Sequence, residues 1–520
     1  MRTTFAAGIN ENGSQSIDQQ ECAEGSNFEL GLNVNYFKPR KAFQHFGTAP
    51  VATSVTGILQ LVKRDLTETT LVAVGASIYT MSSAPVFTSV GSITANSKLR
   101  DTYWSLGDYL VITDITKTTV IKKWDGTTFS TLTTGLGTDL YAKYGAVHNG
   151  RVWLFNVKTT TDTPHLMVAS KFEDPTVYDT SARAPQVTSF ATGNEAFYML
   201  TPDLLPINGV AVFQNQLIIS TLRGRLFRLT GTDANDYAWT PFYQGSAATG
   251  TETMVNMGND VAFMKEGGSI DLLSSTQNYG DVRADDLTRW MPDTVRGLTD
   301  AISVYDQFNQ KVYWFVNDGT TGEVLVLFKD ILPSRLSPWS IYKTAHASSF
   351  ITQAAKYMLI PGTTNYRVFW GDAVGNIHYM EGAQEGDGST LTAITTRRKT
   401  ALLEGDAMTN VMLGNVQYRR LAQVNLDVSI EFAEEYNTST ASITLKGPTG
   451  AETGAAYFGG AAYFGGAFYF GSGTVGASQP AVRAFSNVGF GRAFTVETSI
   501  TSTKNFQVDF VELEIDAPRA

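Results

Sequence analysis

The sequence predicts an all-β protein, a divergent β-propeller of six or seven blades followed by a C-terminal β-sandwich. Three observations lead to this fold class. Apolar residues nowhere keep helical spacing over three or four turns, so short helices are expected only at Asp285–Trp290 and Phe328–Leu332. Pairs of apolar strands joined by Gly, Asn or Asp turns recur along residues 55–395. From residue 396 onward, apolar and polar residues alternate regularly, as in strands with one buried face.

Residues 1–54 are predicted to form an N-terminal arm. The segment is irregular and rich in Gly, Asn and Gln, and such a segment either is disordered or folds against a partner. It contains the single cysteine, Cys22, which excludes an intrachain disulfide framework and a Cys-based zinc site. Because no apolar run is long enough for a signal peptide or a membrane span, we expect synthesis in the cytoplasm and no membrane anchor.

Residues 55–395 are predicted to form the propeller. The clearest hairpin joins Tyr144–His148 to Arg151–Phe155 through Asn149-Gly150, since both turn residues accept positive φ. Such strand pairs recur at intervals of roughly 40 to 60 residues, the range of four-stranded blades. The run Val312–Val316 shows little polar alternation, which suits a strand covered on both sides by neighbouring blades. A set of unrelated β-meanders or stacked sandwiches is the alternative.

Residues 396–520 are predicted to form the sandwich. Apolar residues alternate with polar ones along Leu426–Phe432 and again along Phe494–Ile500. In the last strand Phe506, Val508 and Phe510 share one phase, and the apolar residues that follow take the opposite phase. A slip of this kind predicts a β-bulge near Phe510.

A hexapeptide repeat with the pattern Ala-Ala-Tyr-Phe-Gly-Gly occupies residues 455–472. Its even period keeps equivalent side chains on one face of an extended chain. Exposed Tyr-Phe pairs would favour aggregation, so we expect burial against a neighbour, within the subunit or across a ring. A low-complexity linker and a carbohydrate-stacking surface are the alternatives. The candidate interface residues are Tyr457, Phe458, Tyr463, Phe464, Tyr469 and Phe470.

A basic cluster provides a second candidate interface. Arg223, Arg225 and Arg228 lie on one predicted hairpin. They form either a solvated face or salt links between subunits, because a ring of identical protomers needs complementary patches on its two sides.

The composition favours assembly over catalysis. Charged residues make up only 17% of the chain, below the usual share of about a quarter, so we expect much of the surface to be covered by partners. The net charge of −10 argues against tight nucleic-acid binding, which needs a basic face. It is compatible with a duct through which nucleic acid slides.

No catalytic motif is present. The five histidines are scattered, and none has the spacing of a helical metal site. Asp285 and Asp286, like Glu385 and Asp387, are acidic pairs in polar loops. Paired carboxylates at a propeller mouth would suit a glycosidase, but acidic loops beside glycine are commonly solvated turns. We therefore predict no catalytic, metal-binding or cofactor-binding residue, and a protein that is not an enzyme.

Three parts of the chain carry a family resemblance. The first is the opening stretch 18–27 with Lys38-Pro39-Arg40 and Gly47, and the second comprises the hairpins Gly145–Phe155 and Gly209–Ser220. The third is the closing region, with the Tyr-Phe-Gly repeats, residues 489–493 and the strand Phe506–Ile515. Taken together they resemble the tail tubular or nozzle proteins of short-tailed bacteriophages, a group that includes packaged-DNA stabilisation proteins.

The resemblance implies a hexameric ring in the tail of a virion, assembled after synthesis in the host cytoplasm. Such a ring contacts the tail adaptor and tail fibre or spike proteins, and it retains and conducts viral DNA without reading its sequence. It implies no cofactor. The alternative function is a glycan-binding or glycan-cleaving propeller in host-surface recognition, for which five tryptophans are available: Trp104, Trp124, Trp239, Trp290 and Trp370.

Overall fold

The computed structural model describes most of the chain up to residue 445 and three shorter pieces beyond it. The described residues are 2–3, 7–12, 21–30, 38–184, 190–222, 225–243, 247–273, 286–317, 322–332, 336–347, 349–384, 386–400, 403–420, 426–433, 438–445, 482–483, 487–502 and 506–516. The N-terminal segment contributes three strands: β1 (Arg2–Thr3), β2 (Glu24–Ser26) and β3 (Gln44–Thr48).

The next strands form small antiparallel sheets in chain order, each of which is one blade. Blade 1 contains β4 (Val55–Val62), β5 (Glu68–Val74), β6 (Ser77–Met81) and β7 (Phe87–Ser92). Blade 2 contains β8 (Leu99–Trp104), β9 (Tyr109–Asp114), β10 (Lys122–Trp124) and β11 (Phe129–Thr131). Blade 3 contains β12 (Tyr141–His148), β13 (Arg151–Lys158), β14 (Asp162–Ala169) and β15 (Phe197–Leu200). Blade 4 contains β16 (Ile207–Phe213), β17 (Gln216–Thr221), β18 (Arg225–Thr230) and β19 (Ala238–Tyr243).

Three more blades complete the propeller. Blade 5 has three strands within the described residues, β20 (Met254–Asn256), β21 (Val261–Met264) and β22 (Ile270–Leu272). Blade 6 contains β23 (Ala301–Asp306), β24 (Lys311–Asn317), β25 (Gly322–Phe328) and β26 (Trp339–Tyr342). Blade 7 contains β27 (Ala354–Leu359), β28 (Tyr366–Gly371) and β29 (Asn376–Tyr379), and its fourth strand is the N-terminal β3.

The seven blades form a closed ring. The first strand of each blade lies beside the first strand of the next, and β27 of blade 7 returns to β4 of blade 1. Pairing of β3 with β29 ties the N-terminal part of the chain to the last blade. The predicted all-β propeller is therefore confirmed, with seven blades, and the segment 1–54 supplies one of their strands.

The hydrophobic core lies between adjacent blades. Leu59 and Leu71 of blade 1 pack with Leu110 and Trp124 of blade 2, and similar clusters fill the other gaps around the ring. A middle strand is therefore covered on both faces, and all six residues of β9 are buried. This explains why middle strands such as β9 show continuous apolar runs rather than alternation.

The predicted Asn-Gly hairpin is present in blade 3. His148 pairs with Arg151, and Asn149 and Gly150 between them adopt φ values of 47° and 67°. Positive φ at both central positions matches the twist of the flanking strands, which is why Asn-Gly favours this turn.

Nine strands form one branched sheet that contains the C-terminal region. Its later strands are β30 (Ile394–Lys399), β31 (Leu403–Arg420), β32 (Leu426–Ala433), β33 (Thr438–Leu445), β34 (Val482–Arg483), β35 (Asn487–Ser502) and β36 (Phe506–Asp516). The long strand β35 pairs with β31 and β30 on its successive halves and also with β32. The pairing of β31 with β36 shifts register where Gln417 faces Phe510 and Tyr418 faces Val508, which confirms the predicted bulge near Phe510.

The N-terminal arm connects the sheet with the propeller. β1 pairs with β36, and β2 pairs with β30. Between these strands, the amides of Gly8, Ile9 and Asn27 donate to carbonyls of residues 337–341 along the outer strand of blade 6. The described parts of the arm thus fold against this chain itself and cover an open strand edge.

Helices are short throughout the described residues. The α-helix α1 (Pro292–Val295) has one turn, and two 3-10 turns span Thr251–Thr253 and Lys329–Ile331. The 3-10 turn at Lys329 falls within the second predicted helix, whereas residues 287–290 of the first form a turn and α1 begins at Pro292. In the described part of the chain, no helix has the length and apolarity that crossing a membrane requires.

Candidate assembly surface

The candidate residues from the sequence analysis fall into two groups. Tyr457, Phe458, Tyr463, Phe464, Tyr469, Phe470 and Arg223 lie outside the described residues. Arg225 and Arg228 lie on β18, where Arg225 is exposed and Arg228 is half-buried. They are three residues apart on a strand, so their side chains lie on opposite faces of the sheet. The two arginines therefore do not form one patch.

The hairpins between the first and second strands of the blades form a more distinct surface. In four consecutive blades, 6, 7, 1 and 2, this hairpin or the strand residue that follows it exposes a large apolar or aromatic side chain. The exposed fractions are 75% for Phe308, 41% for Tyr366, 82% for Leu66 and 50% for Leu106. We call these four residues the apolar arc. The first strands run in the same direction around a propeller, so their hairpins lie on one face of the ring.

Contacts between blades show that the arc is continuous. The Arg367 guanidinium of blade 7 lies 5.7 Å from the Phe308 ring centroid of blade 6. The amide of Gly362 in the hairpin of blade 7 donates to the Glu68 carboxylate of blade 1. Arg64 of blade 1 forms a 3.1 Å ion pair with Asp108 of blade 2. The four hairpins are therefore neighbours on one surface.

The backbone holds two of the arc residues in fixed positions. The Phe308 amide donates to Asp306 Oδ1 at 3.1 Å, and the Tyr357 hydroxyl is hydrogen-bonded to the Phe308 backbone. Leu66 has φ 67°, a left-handed conformation that disfavours a branched side chain. The chain thus presents apolar groups to solvent from ordered turns rather than from loose loops.

The corresponding hairpins of blades 3, 4 and 5 are polar. Their tips are Asn149-Gly150, Gln214-Asn215 and Gly258-Asn259. The tips of this first hairpin are thus apolar in four blades and polar in three, and in blade 3 the exposed Phe172 lies against the polar tip at Gly150. Several large apolar side chains exposed on neighbouring hairpins are typical of a protein-binding surface.

The hairpins of the arc carry no net charge. They contain Lys63, Arg64, Asp65 and Asp108, whose charges cancel, and Arg64 is already paired. Nucleic acids and anionic membranes attract basic surfaces, which this face does not provide.

The opposite face of the propeller also exposes apolar side chains. Val374 lies in the hairpin between β28 and β29, beside the segment that contains Val51, and both are exposed. Leu204 and Leu222 are exposed in blade 4, where the Leu222 amide donates to the Pro206 carbonyl at 2.9 Å. The two faces together provide the unlike surfaces that a head-to-tail contact between identical subunits requires.

Charged side chains cross one end of the propeller axis. Arg100 of blade 2 forms an ion pair with Glu252, which precedes the first strand of blade 5 on the far side of the ring. The same guanidinium donates to the carbonyls of Thr56 in blade 1 and Gln353 before blade 7, at 3.4 and 3.0 Å. Burial lowers the pKa of Arg100 to about 10, so it stays charged at neutral pH.

A second ion-pair network fixes the arm. Lys311 Nζ lies 2.7 Å from Glu29 Oε2 in the arm and 2.6 Å from Glu381 Oε1 after blade 7. The hydroxyls of Tyr342 and Tyr313 donate to these two carboxylates, each at 2.9 Å. Burial alone would lower the pKa of Lys311, but the two carboxylates raise it well above its usual value. All three charges are therefore paired inside the protein.

The acidic residues considered for catalysis have structural roles. Asp286 accepts the Thr288 amide at 2.8 Å and caps the turn before α1. Asp387 forms a fully buried ion pair with Arg40 of the arm and accepts from the Thr344 hydroxyl at 2.7 Å. Asp285 and Glu385 lie outside the described residues. Within the described ranges, no three His, Cys, Asp or Glu side chains are grouped so that they could hold a metal ion.

The tryptophans considered for sugar stacking lie mainly in the core. Trp104, Trp124, Trp290 and Trp370 are buried, and Trp239 is half-buried. A buried ring has no free face for a sugar, so these four residues do not form a glycan-binding mouth in this conformation. Cys22 is also fully buried, and burial raises the pKa of its thiol to about 11, as expected of an inert core residue.

Comparisons with known proteins find similarity in structure only. No protein-family model and no curated protein matches the sequence. Similar solved structures include the virginiamycin B lyase of Staphylococcus aureus, which is 11% identical with a TM-score of 0.42, over 65% of this chain and 98% of that one. The β-propeller domain of Cps50 (Swd1) from Myceliophteria thermophila is 12% identical with a TM-score of 0.38, over 66% of this chain and all of that one. At this identity the likeness concerns the fold and does not extend to activity.

Proposed function

We propose that this chain is a structural component of a bacteriophage tail, a nozzle or tail tubular protein whose copies close into a ring. In this proposal the ring is a hexamer in the virion, bound to the tail adaptor and to tail fibre or spike proteins. It retains viral DNA and conducts it during ejection, and the chain is not an enzyme. The sequence resemblance described above supports this assignment, together with the apolar arc.

The apolar arc is the observation that carries the proposal. Four ordered hairpins expose large apolar side chains on a surface whose charges cancel. Such a surface favours burial against another protein, and the exposed Val51, Val374, Leu204 and Leu222 on the opposite face supply an apolar counterpart on the same chain. The partner is therefore proposed to be a second copy of this chain.

The sealed axis determines where DNA passes in this proposal. The Arg100 side chain and its ion pair with Glu252 span the ring of first strands. A gap that a single arginine side chain spans is much narrower than a DNA duplex, because the major groove of the duplex is by itself about 12 Å wide. The duct is therefore proposed to lie between subunits and outside the axis of each propeller. The net charge of −10 suits a wall that does not retain phosphates.

The particle mass of purified full-length protein in solution tests the proposal. The wild type is expected to form a ring with six times the 56.5 kDa mass of one chain. Replacing Leu66 and Phe308 together with serine should shift the population toward monomers, because both side chains would be buried in the contact. Gln214→Ser, in a polar hairpin on the same face, is the matched control and should leave the ring intact.

Two results would contradict the proposal. A wild type that stays monomeric at every concentration has no ring-forming contact. Rings that survive the double replacement unchanged would show that the apolar arc is not the contact surface.

A further inference from the structure

Three histidines that are far apart in the sequence form one cluster. His45 lies on β3, His346 follows β26, and His378 lies on β29. The ring centroid of His378 is 5.3 Å from that of His45 and 6.1 Å from that of His346. Three of the five histidines of the chain therefore meet in one place, although they come from three separate segments.

The cluster lies at the closure of the propeller ring. His378 and His45 are opposite each other in the pairing of β29 with β3, at a shift in strand register. This pairing is the one in which the N-terminal part of the chain completes blade 7. A change in charge here therefore acts on the strand that closes the ring.

Aromatic rings hold the central histidine. His378 is almost completely buried and stacks on Trp370 with 4.5 Å between ring centroids. Phe43, at the end of the arm, contacts His378 and His346 edge-on, at 5.1 and 5.5 Å between centroids. This packing suits neutral imidazole rings, because an added charge would be buried among apolar groups.

The charged groups around the cluster offer limited compensation. Asp372 Oδ2 lies 3.5 Å from His378 Nε2, but this carboxylate also accepts the amides of Val374 and Asn376. Asp387 faces the cluster as well, and its charge is matched by Arg40. Of these two carboxylates, Asp372 is shared with backbone amides and Asp387 is paired with Arg40, so both are already engaged when the imidazoles gain charge.

Protonation of the cluster favours separation of the strands. Burial lowers the pKa of His378 and of His45 below the usual value of about 6.5, and like charge on the neighbouring histidines acts in the same direction. An unfolded or detached segment therefore takes up protons more readily than the closed one. The neutral histidines therefore cost the closed form no stability above about pH 6.5. Below that pH, the stability of the closed form falls as the pH drops toward the lowered pKa values of His378 and His45.

We propose that the three histidines form an acid-sensitive latch. At low pH this latch releases β3, and the residues of the arm next to it, from blade 7 while the other blades stay folded. The proposal is independent of the tail function. It depends only on the meeting of His45, His346 and His378 at the strand pair that closes the ring.

Backbone amide hydrogen exchange in the full chain tests the latch. Exchange is compared at about pH 7.5 and about pH 5 after correction for the intrinsic pH dependence of the rate. We expect the protection of residues 44–48 and 376–379 to fall about tenfold or more on acidification, which corresponds to about 1.4 kcal/mol. Residues 209–221 of blade 4 should keep their protection. Equal loss in both places would indicate global acid unfolding and overturn the proposal.

Variants assign the effect to the cluster. His45→Asn with His346→Asn removes two imidazoles and should reduce the acid-dependent loss at residues 44–48, while His378 stays in its packed position. His148→Asn removes another buried histidine, on blade 3, and should leave the loss unchanged. If the double variant does not fold, His346→Asn alone should give a smaller reduction. Wild-type behaviour in every folded variant of the cluster would contradict the latch.

Discussion

Leu66 combines two features that are unfavourable for an isolated monomer. Its side chain is the most exposed large apolar group of the apolar arc, and its backbone is left-handed with φ 67°. Its amide still donates to the Lys63 carbonyl at 2.9 Å, so the turn is well formed. A residue that costs stability in the monomer is understandable if its side chain is used in a contact with another molecule.

Leu66→Gly separates the two roles of this residue. Glycine adopts positive φ without strain, so the free energy of unfolding of the monomer is expected to rise by up to about 1 kcal/mol. Loss of the side chain should at the same time weaken self-association. Chemical denaturation measures the first effect and particle mass measures the second. A variant that is less stable than the wild type and assembles equally well would contradict this account of the turn.

Contacts between distant residues limited the sequence prediction at this scale. Asp387 belongs to an acidic pair that by sequence alone suits either a glycosidase or a solvated turn, whereas in the structure it binds Arg40, which lies 347 positions earlier. The histidines were described as scattered because no local spacing relates them, and the fold brings three together. Charge and spacing within one loop do not contain such information. These contacts between distant residues follow only from the topology, in which the N-terminal segment returns to blade 7.

At the scale of elements, local patterns were reliable where they arise from backbone geometry. The Asn149-Gly150 hairpin and the bulge near Phe510 follow from positive φ and from strand phase. The first predicted helix was displaced, because Pro292 is compatible with a helix start while Asp286 stabilises a turn before it. β3 was missed because five residues, Gln-His-Phe-Gly-Thr, lack a clear alternation and their partner strand lies more than 300 positions away.

The arm depends on its buried ion pairs. Burial would raise the pKa of Glu381, yet Lys311 holds it below its usual value. The stabilisation from this carboxylate is thus present above its unfolded pKa of about 4.3 and is lost as the pH falls through the lowered value. Acid should therefore weaken the attachment of the arm through this network, in a lower pH range than the histidine cluster.

Lys311→Met tests the network. The replacement removes the buried cation shared by Glu29 and Glu381 and leaves only the exposed Lys41, 3.5 Å from Glu381, so the free energy of unfolding at pH 7 should fall by about 3–5 kcal/mol. The triple variant Glu29→Gln, Lys311→Met and Glu381→Gln removes all three charges and should recover part of the loss. Urea denaturation of the full chain measures both variants. If Lys311→Met alone lowers the free energy of unfolding less than the triple variant does, Lys311 does not balance the buried charges of Glu29 and Glu381.

At the scale of the whole molecule, the described residues form a closed ring of blades, an ion pair across its axis, and an arm that connects blade 6 with the large C-terminal sheet. The first hairpins are apolar in four consecutive blades and polar in the other three, so this face is not uniform around the ring. A molecule of this form is suited to binding neighbours over its surface rather than a ligand along its axis. Oligomer symmetry was not readable from the sequence, because it depends on the angle between two separate contact surfaces.

The axial ion pair is predicted to stabilise the propeller without contributing to assembly. Arg100→Met leaves Glu252 without its partner, and because both side chains keep some exposure we expect a loss of about 2 kcal/mol in the free energy of unfolding. The double variant Arg100→Met with Glu252→Gln should lose less. Thermal or chemical unfolding of the three proteins measures the coupling. Particle mass should be the same in all, and dissociation of the ring on these replacements would place the axis in a subunit contact.

Electron microscopy of single particles of the full-length wild type tests the central claim most directly. The account predicts closed rings in which Phe308, Tyr366, Leu66 and Leu106 are buried against a neighbouring copy, with an open duct between subunits and a sealed axis in every propeller. Isolated monomers with these four side chains in solvent, or particles whose only continuous passage runs along the propeller axis, would contradict it.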